Sequence, residues 1–378
     1  MKTLFARGMT RATALTRSGD LAEATALIQS LLHPNPATDE QPDDAGVIEG
    51  SFTRQGEGAP PPRTARTARK GLSETLRSIA AGGMPQRGPL TPAAPDLPSG
   101  AQFLALTHQG TQGSRDYRLY VPATMPEGPM PLIVMLHGCT QSPEDFATGT
   151  GMNALAEEYG ALIAWPAQPQ GANVQKCWNW FRPEDQAKGR GEPALIAGIV
   201  HDILRAHPAD AARVYIAGLS AGGAAAAIMG ASYPELFAAI GVHSGLPVGG
   251  ARDVPSAFAA MRSGSTGTAR VSGVPAIVFH GLADTTVHPA NGEAVLTQAL
   301  RVRAGLSQVR VSGTSGGGRT YRQTRHEDAR GLSMAEHWEI DGVGHAWSGG
   351  QAAGSYTDPK GPDASREMLR FFLQHSQA

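Results

Sequence analysis

Two cysteines, Cys139 and Cys177, are all that the 378-residue chain contains. That scarcity excludes a disulfide-framework scaffold and any cysteine-based zinc cluster, and leaves room for one bridge at most. No run of about 18 apolar residues occurs, so no transmembrane segment is expected. Charged residues make up 17% of the chain, below the usual figure of about 25%. Their balance, Lys+Arg 32 against Asp+Glu 33, leaves a net charge of -1, and with no overall positive field a nucleic-acid partner is not expected. The first residues, interrupted by Arg7, Arg11 and Arg17, lack the continuous apolar stretch of a secretory signal, and the chain is read as cytoplasmic on that ground. Neither the glycine spacing of a dinucleotide loop nor the lysine of a phosphate loop is found, no metal pattern accompanies them, and no cofactor is expected.

What is abundant is glycine (47) and proline (28), and both are unevenly spread. Residues 1–32 read as a helical N-terminal segment, with Leu21, Ala24, Leu27, Ile28 and Leu31 on one apolar stripe that wants a partner, such as a hydrophobic granule or another protein. Residues 33–100 hold eleven prolines and few aromatics. They cannot bury enough apolar area to offset chain entropy, and read as a flexible, disordered linker. From residue 101 to 378 apolar strands alternate with helical stretches, the pattern of an α/β domain with a mostly parallel central sheet and helices on both faces. Strands are expected at Arg115 to Val121, Leu132 to Leu136, Ala161 to Trp165, Arg213 to Ala217, Ala238 to Val242, Val274 to Phe279 and Ala335 to Ile340. Helices are expected at Glu192 to His207, Gly222 to Ser232, Ala290 to Ala304 and Asp363 to Gln374. Residues Gly313 to Ser333 show no clear period and read as a surface excursion.

Chemistry is concentrated in three places. Gly218-Leu219-Ser220-Ala221-Gly222 lies between a strand and a helix of small residues, the setting of a nucleophile elbow, where side chains at the flanking glycines would strike the neighbouring strand and helix. A serine is a poor nucleophile unless a base takes its proton and a third group orients that base. Downstream, Asp284 stands in the loop after the strand ending at His280, and is preferred as the acid over Glu339 and Asp341, which lie too near the histidine in sequence. His345 follows the last strand between glycines that let the loop turn, and is the base. The Ser, Asp, His order is that of the elbow-bearing hydrolases. Backbone amides of Ala221 and of Cys139, in the loop Leu136-His137-Gly138-Cys139-Thr140-Gln141, are the expected oxyanion donors, with the Thr140-Gln141 pair able to tighten the turn and His137 structural. Trp178, Trp180, Phe181 and Trp347 fall in loops at the same end of the sheet and could line an apolar substrate cleft, or anchor those loops.

The motifs HGCTQ, KCWNWF, GLSAGG, HGLADTTV and GxGHAW, in that order, resemble the polyhydroxybutyrate depolymerase family of esterases over about residues 115 to 375, relatives of the feruloyl and acetylxylan esterases. The resemblance implies the α/β-hydrolase fold, Ser220 as nucleophile, Asp284 and His345 completing the triad, and the Cys139 and Ala221 amides as the oxyanion hole. It makes a Cys139 to Cys177 disulfide plausible and brings a secreted or periplasmic location in as the alternative. The expected activity is hydrolysis of a carboxylic ester, first a poly(3-hydroxyalkanoate) or its oligomers, alternatively a feruloyl, acetyl-sugar or small ester. A non-enzymatic reading is a granule- or partner-binding protein acting through residues 1–32.

Overall fold

A computed structural model describes residues 95, 97–267 and 273–377. The helical segment expected at 1–32 and nearly all of the linker expected at 33–100 lie outside the described residues. Ten strands form one sheet in the order β1-β2-β4-β3-β5-β6-β7-β10-β9-β8. They are β1 Gln102–Gly110, β2 Gly113–Val121, β3 Met130–Leu136, β4 Leu162–Pro166, β5 Ala209–Leu219, β6 Ala239–His243, β7 Ala276–Gly281, β8 Ser307–Thr314, β9 Thr320–Glu327 and β10 Ser333–Ile340. From β4 across to β10 every neighbour pair is parallel. The margins, β1-β2-β4 on one side and β10-β9-β8 on the other, are antiparallel.

The sheet is central because its strands are apolar on both faces. All seven residues of β3, MPLIVML, are buried, as a parallel strand covered from two sides requires. Successive residues then serve opposite cores: Leu132, Val134, Leu136, Val214 and Ile216 join one, while Ile133, Met135, Tyr215 and Ala217 join the other. The first core is closed by helices α3 Gly191–Ala206, α4 Ala221–Ser232, α5 Val254–Ser263 and α6 Ala290–Leu300, the second by α1 Pro143–Thr150, α2 Met152–Tyr159 and α7 Ala364–Phe372. Helix starts are chemically marked. Ser142 accepts the Asp145 amide ahead of Pro143, and Asp253 and Ser256 form a reciprocal capping box on α5, each satisfying amides that have no partner within the helix.

Two expectations are corrected. Residues Gly313 to Ser333 are not an irregular excursion. Most belong to the β8–β9 hairpin and the start of β10, paired residue by residue from Ser307 with Glu327 to Thr314 with Thr320. Both faces of β8 are largely exposed, so no hydrophobic alternation is needed and none is written in the sequence. Helix α6 stops at Leu300 rather than Ala304, where the chain turns toward Gly305 at φ 73°. Strand β1 and helices α1, α2 and α5 were not anticipated.

Candidate active site

Three loops at the carboxyl ends of parallel strands converge. Ser220 sits between β5 and α4 at φ 59°, ψ -119°, a conformation that a non-glycine residue holds only when the surroundings impose it. The surroundings are backbone. A Cβ on Gly222 would lie 2.0 Å from the Leu136 carbonyl oxygen, and one on Gly218 would lie 2.4 Å from the Gly222 carbonyl. The Ser220 amide donates to the His243 carbonyl at 2.9 Å, tying the elbow to the adjacent strand.

Asp284 leaves β7 and is almost fully buried. Its Oδ1 accepts the Thr286 and Val287 amides at 2.9 Å, and its Oδ2 accepts His345 Nδ1–H at 2.7 Å. Burial, the largest single influence, would raise its pKa. The surrounding donors, His280 and His345 first, together with the charge of His345 and the Val287 amide, outweigh it and hold the carboxyl well below its usual range. His280 Nε2 donates to the Val287 carbonyl at 2.9 Å and stands 3.6 Å from Asp284 Oδ2. The loop carrying His345 follows β10 and is laced to the Asp284 loop by Leu282 N to Ile340 O and Ala283 N to Val343 O, both 2.9 Å. With Nδ1–H committed to Asp284, the lone pair of His345 is at Nε2. Among the described residues the Ser220 hydroxyl makes no hydrogen bond to His345; such nucleophile–base contacts commonly tighten only with substrate in place. The rival acids are engaged elsewhere: Glu339 with Arg322 and Asp341 with the Thr320 hydroxyl.

The loop after β3 is held from several sides. Gly138 N donates to Gln141 Oε1 at 2.8 Å, while Gln141 Nε2 donates to Asp145 at 3.1 Å and to the Ser355 carbonyl at 3.2 Å. His137 donates Nδ1–H to the Gly138 carbonyl and accepts the Gln168 amide at Nε2, and burial pushes its pKa down to about 4, so the ring is a neutral brace. The Cys139 and Cys177 sulfurs are 2.04 Å apart, the separation of a disulfide, joining this loop to the 173–181 loop. Among the described residues neither the Cys139 amide nor the Ala221 amide donates to a protein acceptor, which leaves both free to meet a developing oxyanion. Replacing both cysteines by serine is expected to lower stability by up to about 4 kcal/mol in the loop-entropy account, the bridged residues being 38 apart. It should also reduce kcat more than it raises KM if the Cys139 amide is the oxyanion donor expected of it, because its loop is loosened. Thermal melts and steady-state kinetics of the double variant read both effects.

Of the two readings of the tryptophans, burial goes against the substrate cleft and with loop anchoring. Trp178 is fully buried, donates Nε1–H to the His137 carbonyl at 3.1 Å and lies under Arg115. Trp347 is 1% exposed, bonds Ser365 and packs on Phe146 and His243. Trp180 is 6% exposed in the core and meets Phe181 edge to face. These rings anchor loops, and their surfaces are spent on protein rather than open to an acyl chain.

Two supporting residues, Glu192 and His243, were missed, while Gln141 tightens its turn as expected. Gln141 clamps the β3 loop as above. Glu192, at the start of α3, accepts both the amide and the side chain of Asn179 at 2.7 Å and the side chain of Gln168 at 2.5 Å; Gln168 in turn is bonded by Arg115. Burial, then the charge of Asp185, raises the Glu192 pKa. His243 donates Nδ1–H to Ser244 and accepts the Ser348 amide, while its own carbonyl holds Ser220. Nothing local in the sequence distinguishes Glu192 and His243 from ordinary helix and strand residues.

Residues 115–327 match the family described as esterase PHB depolymerase. The chain is 34% identical over 266 residues to poly(3-hydroxyalkanoate) depolymerase C of Paucimonas lemoignei, a match covering 65% of this chain and 63% of that protein. It is 32% identical over 224 residues to feruloyl esterase B of Thermothelomyces thermophilus, covering 54% and 76%. It is 30% identical over 197 residues to acetylxylan esterase A of Talaromyces purpureogenus, covering 46% and 50%. The match thus spans less than two thirds of the first of these relatives. Among solved structures, an acetyl xylan esterase from Aspergillus awamori superposes with a TM-score of 0.56 at 21% identity over 72% of this chain and 99% of that one, which shares the fold. No helix among the described residues is long and apolar enough to cross a membrane.

Proposed function

We propose, starting from the fact that the chain belongs to the esterase PHB depolymerase family, that it is a serine hydrolase of carboxylic esters working through an acyl-enzyme. The observation that carries this reading is the 2.7 Å bond from His345 Nδ1 to buried Asp284 at the end of the sheet where Ser220 occupies its elbow. In the first step Ser220 Oγ attacks the ester carbonyl carbon while His345 Nε2 removes its proton, and Asp284 stabilises the imidazolium that forms. The tetrahedral oxyanion meets the Cys139 and Ala221 amides, each worth on the order of 3 to 4 kcal/mol of barrier. Collapse breaks the bond to the alcohol oxygen, which takes the proton from His345. Water repeats the sequence on the acyl-serine and restores the free hydroxyl.

As substrate we propose a poly(3-hydroxyalkanoate) segment or its oligomers, supported by the 34% identity to a depolymerase of that class. Feruloyl or acetylated sugar esters are the second reading, supported by the 32% identity to a feruloyl esterase. A panel of 3-hydroxybutyrate oligomers, polyester film, feruloyl sugar and acetylated xyloside decides between them. The first reading expects kcat/KM on the oligomers to exceed that on the sugar esters by at least about tenfold, the size of one well-made contact; turnover confined to sugar esters rejects it. We place the esterase domain at 101–378, preceded by a segment at 1–32 and a tether at 33–100. A structural disulfide beside the site favours an oxidising compartment.

A further inference from the structure

Among the described residues five non-glycine positions have positive φ: Thr140, Lys176, Ser220, Ser244 and Tyr356. Ser220 is the proposed nucleophile, Ser244 follows the histidine that holds its amide, and Lys176 precedes a bridged cysteine. The remaining two, Thr140 at φ 66° and Tyr356 at φ 53°, have no part in the triad or the oxyanion hole. Strained backbone of this kind persists only where the surrounding structure over-determines it, and it gathers at functional sites. For β-branched Thr140 the conformation is a true outlier.

The two strained residues face each other. Thr140 directly follows Cys139, and its hydroxyl lies 3.3 Å from that of Tyr356, longer than the usual 2.7 to 2.8 Å of a good O–H···O bond. Tyr356 also stands with its ring centroid 6.4 Å from that of His345, edge to face. Both side chains are exposed, Tyr356 by 39%. One long, solvent-accessible hydrogen bond does not compensate for two strained residues. The two loops are pinned without the hydroxyls, by Thr140 N to the Gln175 carbonyl at 2.7 Å, by Ser355 N to Asp145 at 3.0 Å, by Gln141 to the Ser355 carbonyl, and by Trp347 N to the Tyr356 carbonyl at 2.7 Å. What the strain achieves is to present two hydroxyl groups together, between the oxyanion loop and the catalytic base.

We propose that the Thr140 and Tyr356 hydroxyls form a polar subsite that binds an oxygen of the substrate one unit beyond the scissile ester. That oxygen is either the next ester carbonyl of a hydroxyalkanoate oligomer or a ring hydroxyl of a sugar ester. The inference rests on the esterase reading above and deepens it: the favoured substrates carry a second oxygen function, and simple alkyl esters lack the contact.

The test compares the full-length wild type with Tyr356→Phe and Thr140→Val on three substrates: ethyl butyrate, which has no oxygen function beyond its one ester group, a 3-hydroxybutyrate trimer methyl ester, and an acetylated methyl xyloside. Loss of one neutral hydrogen bond corresponds to a fall of about five- to tenfold, expected in kcat/KM, mostly through KM, on the oxygen-bearing substrate. Ethyl butyrate turnover should stay within about twofold, the Brønsted chemistry being untouched. Thr140→Ser, which keeps the hydroxyl, should restore wild-type behaviour. Whichever of trimer and xyloside shows the selective fall identifies the source of the bound oxygen. Equal losses on all three substrates would make the pair a loop brace and overturn the subsite, as would unchanged kinetics throughout. Wild-type enzyme inert toward every ester would overturn the esterase reading and the subsite with it, an outcome distinct from active enzyme with unselective variants.

Discussion

Ser220→Ala is expected to lower p-nitrophenyl butyrate turnover by about 10⁴-fold or more, the scale on which removing a triad nucleophile acts, without loss of fold. The hydroxyl has no hydrogen bond to His345 to lose, and Ser220 is bonded into the fold through its amide and carbonyl, to His243 and Ala224, which alanine keeps. Alanine also meets the same positive φ as serine, so the strain is unchanged. The melting temperature should move by less than about 2 °C, equivalent to under about 0.5 kcal/mol in a domain of this size. Ser220→Gly should be equally inactive yet more stable, since glycine relieves a backbone conformation that costs of order 1 to 3 kcal/mol in other residues. An inactive variant that is also unfolded would say nothing of the hydroxyl, which is why activity and melting are read on the same samples.

The second large effect is on stability. Gly222→Ala should cost about 3 kcal/mol or more, at the upper end for overpacking a core. The added methyl would stand 2.0 Å from the Leu136 carbonyl oxygen and 2.6 Å from that of His137. Those atoms belong to the central strand and the oxyanion loop, and neither can retreat without breaking the β3 pairing or moving Cys139. Gly344→Ala is the matched control: it lies beside the base, but nothing stands within 4 Å of a Cβ there, and its effect on the urea midpoint should stay within about 0.5 kcal/mol, as for an ordinary surface change. Equal midpoint shifts for the two variants would contradict the packing account of the elbow.

Those glycines explain why so much of the site could be read before any coordinates. A serine on a tight strand-to-helix turn forces small residues two positions to either side, and the direction of a parallel sheet puts the acid and histidine in loops after strands, in the order of the elbow-bearing fold. Both constraints are local or topological, so GLSAGG, HGLADTTV and GxGHAW carry them in the letters. The buried strands β3, β5, β6 and β7 were equally legible, because two-sided burial demands unbroken apolar runs. The β8–β9 hairpin was not, since β8 is largely exposed on both faces and β9 is mostly half-buried with polar residues, so neither needs an apolar pattern. The tryptophans stayed undecided between two readings for a different reason. An aromatic residue in a loop can face a cleft or a core, and for Trp347 the outcome depends on Phe146 and Ser365, distant in the chain. Glu192 and His243 were missed on the same ground: His243 acquires its role from Ser348, 105 positions away.

The central claim is that the hydroxyl of residue 220 is made nucleophilic by the imidazole of residue 345. Incubation with diisopropyl fluorophosphate tests it most directly, because an activated serine oxygen displaces fluoride from phosphorus and keeps the phosphoryl group as a mass tag. Peptide mass mapping is predicted to find one adduct per chain, on Ser220, forming in step with loss of ester hydrolysis and much more slowly in His345→Ala. An adduct on another residue accompanying inactivation, or full ester hydrolysis by protein quantitatively labelled at Ser220, would contradict it.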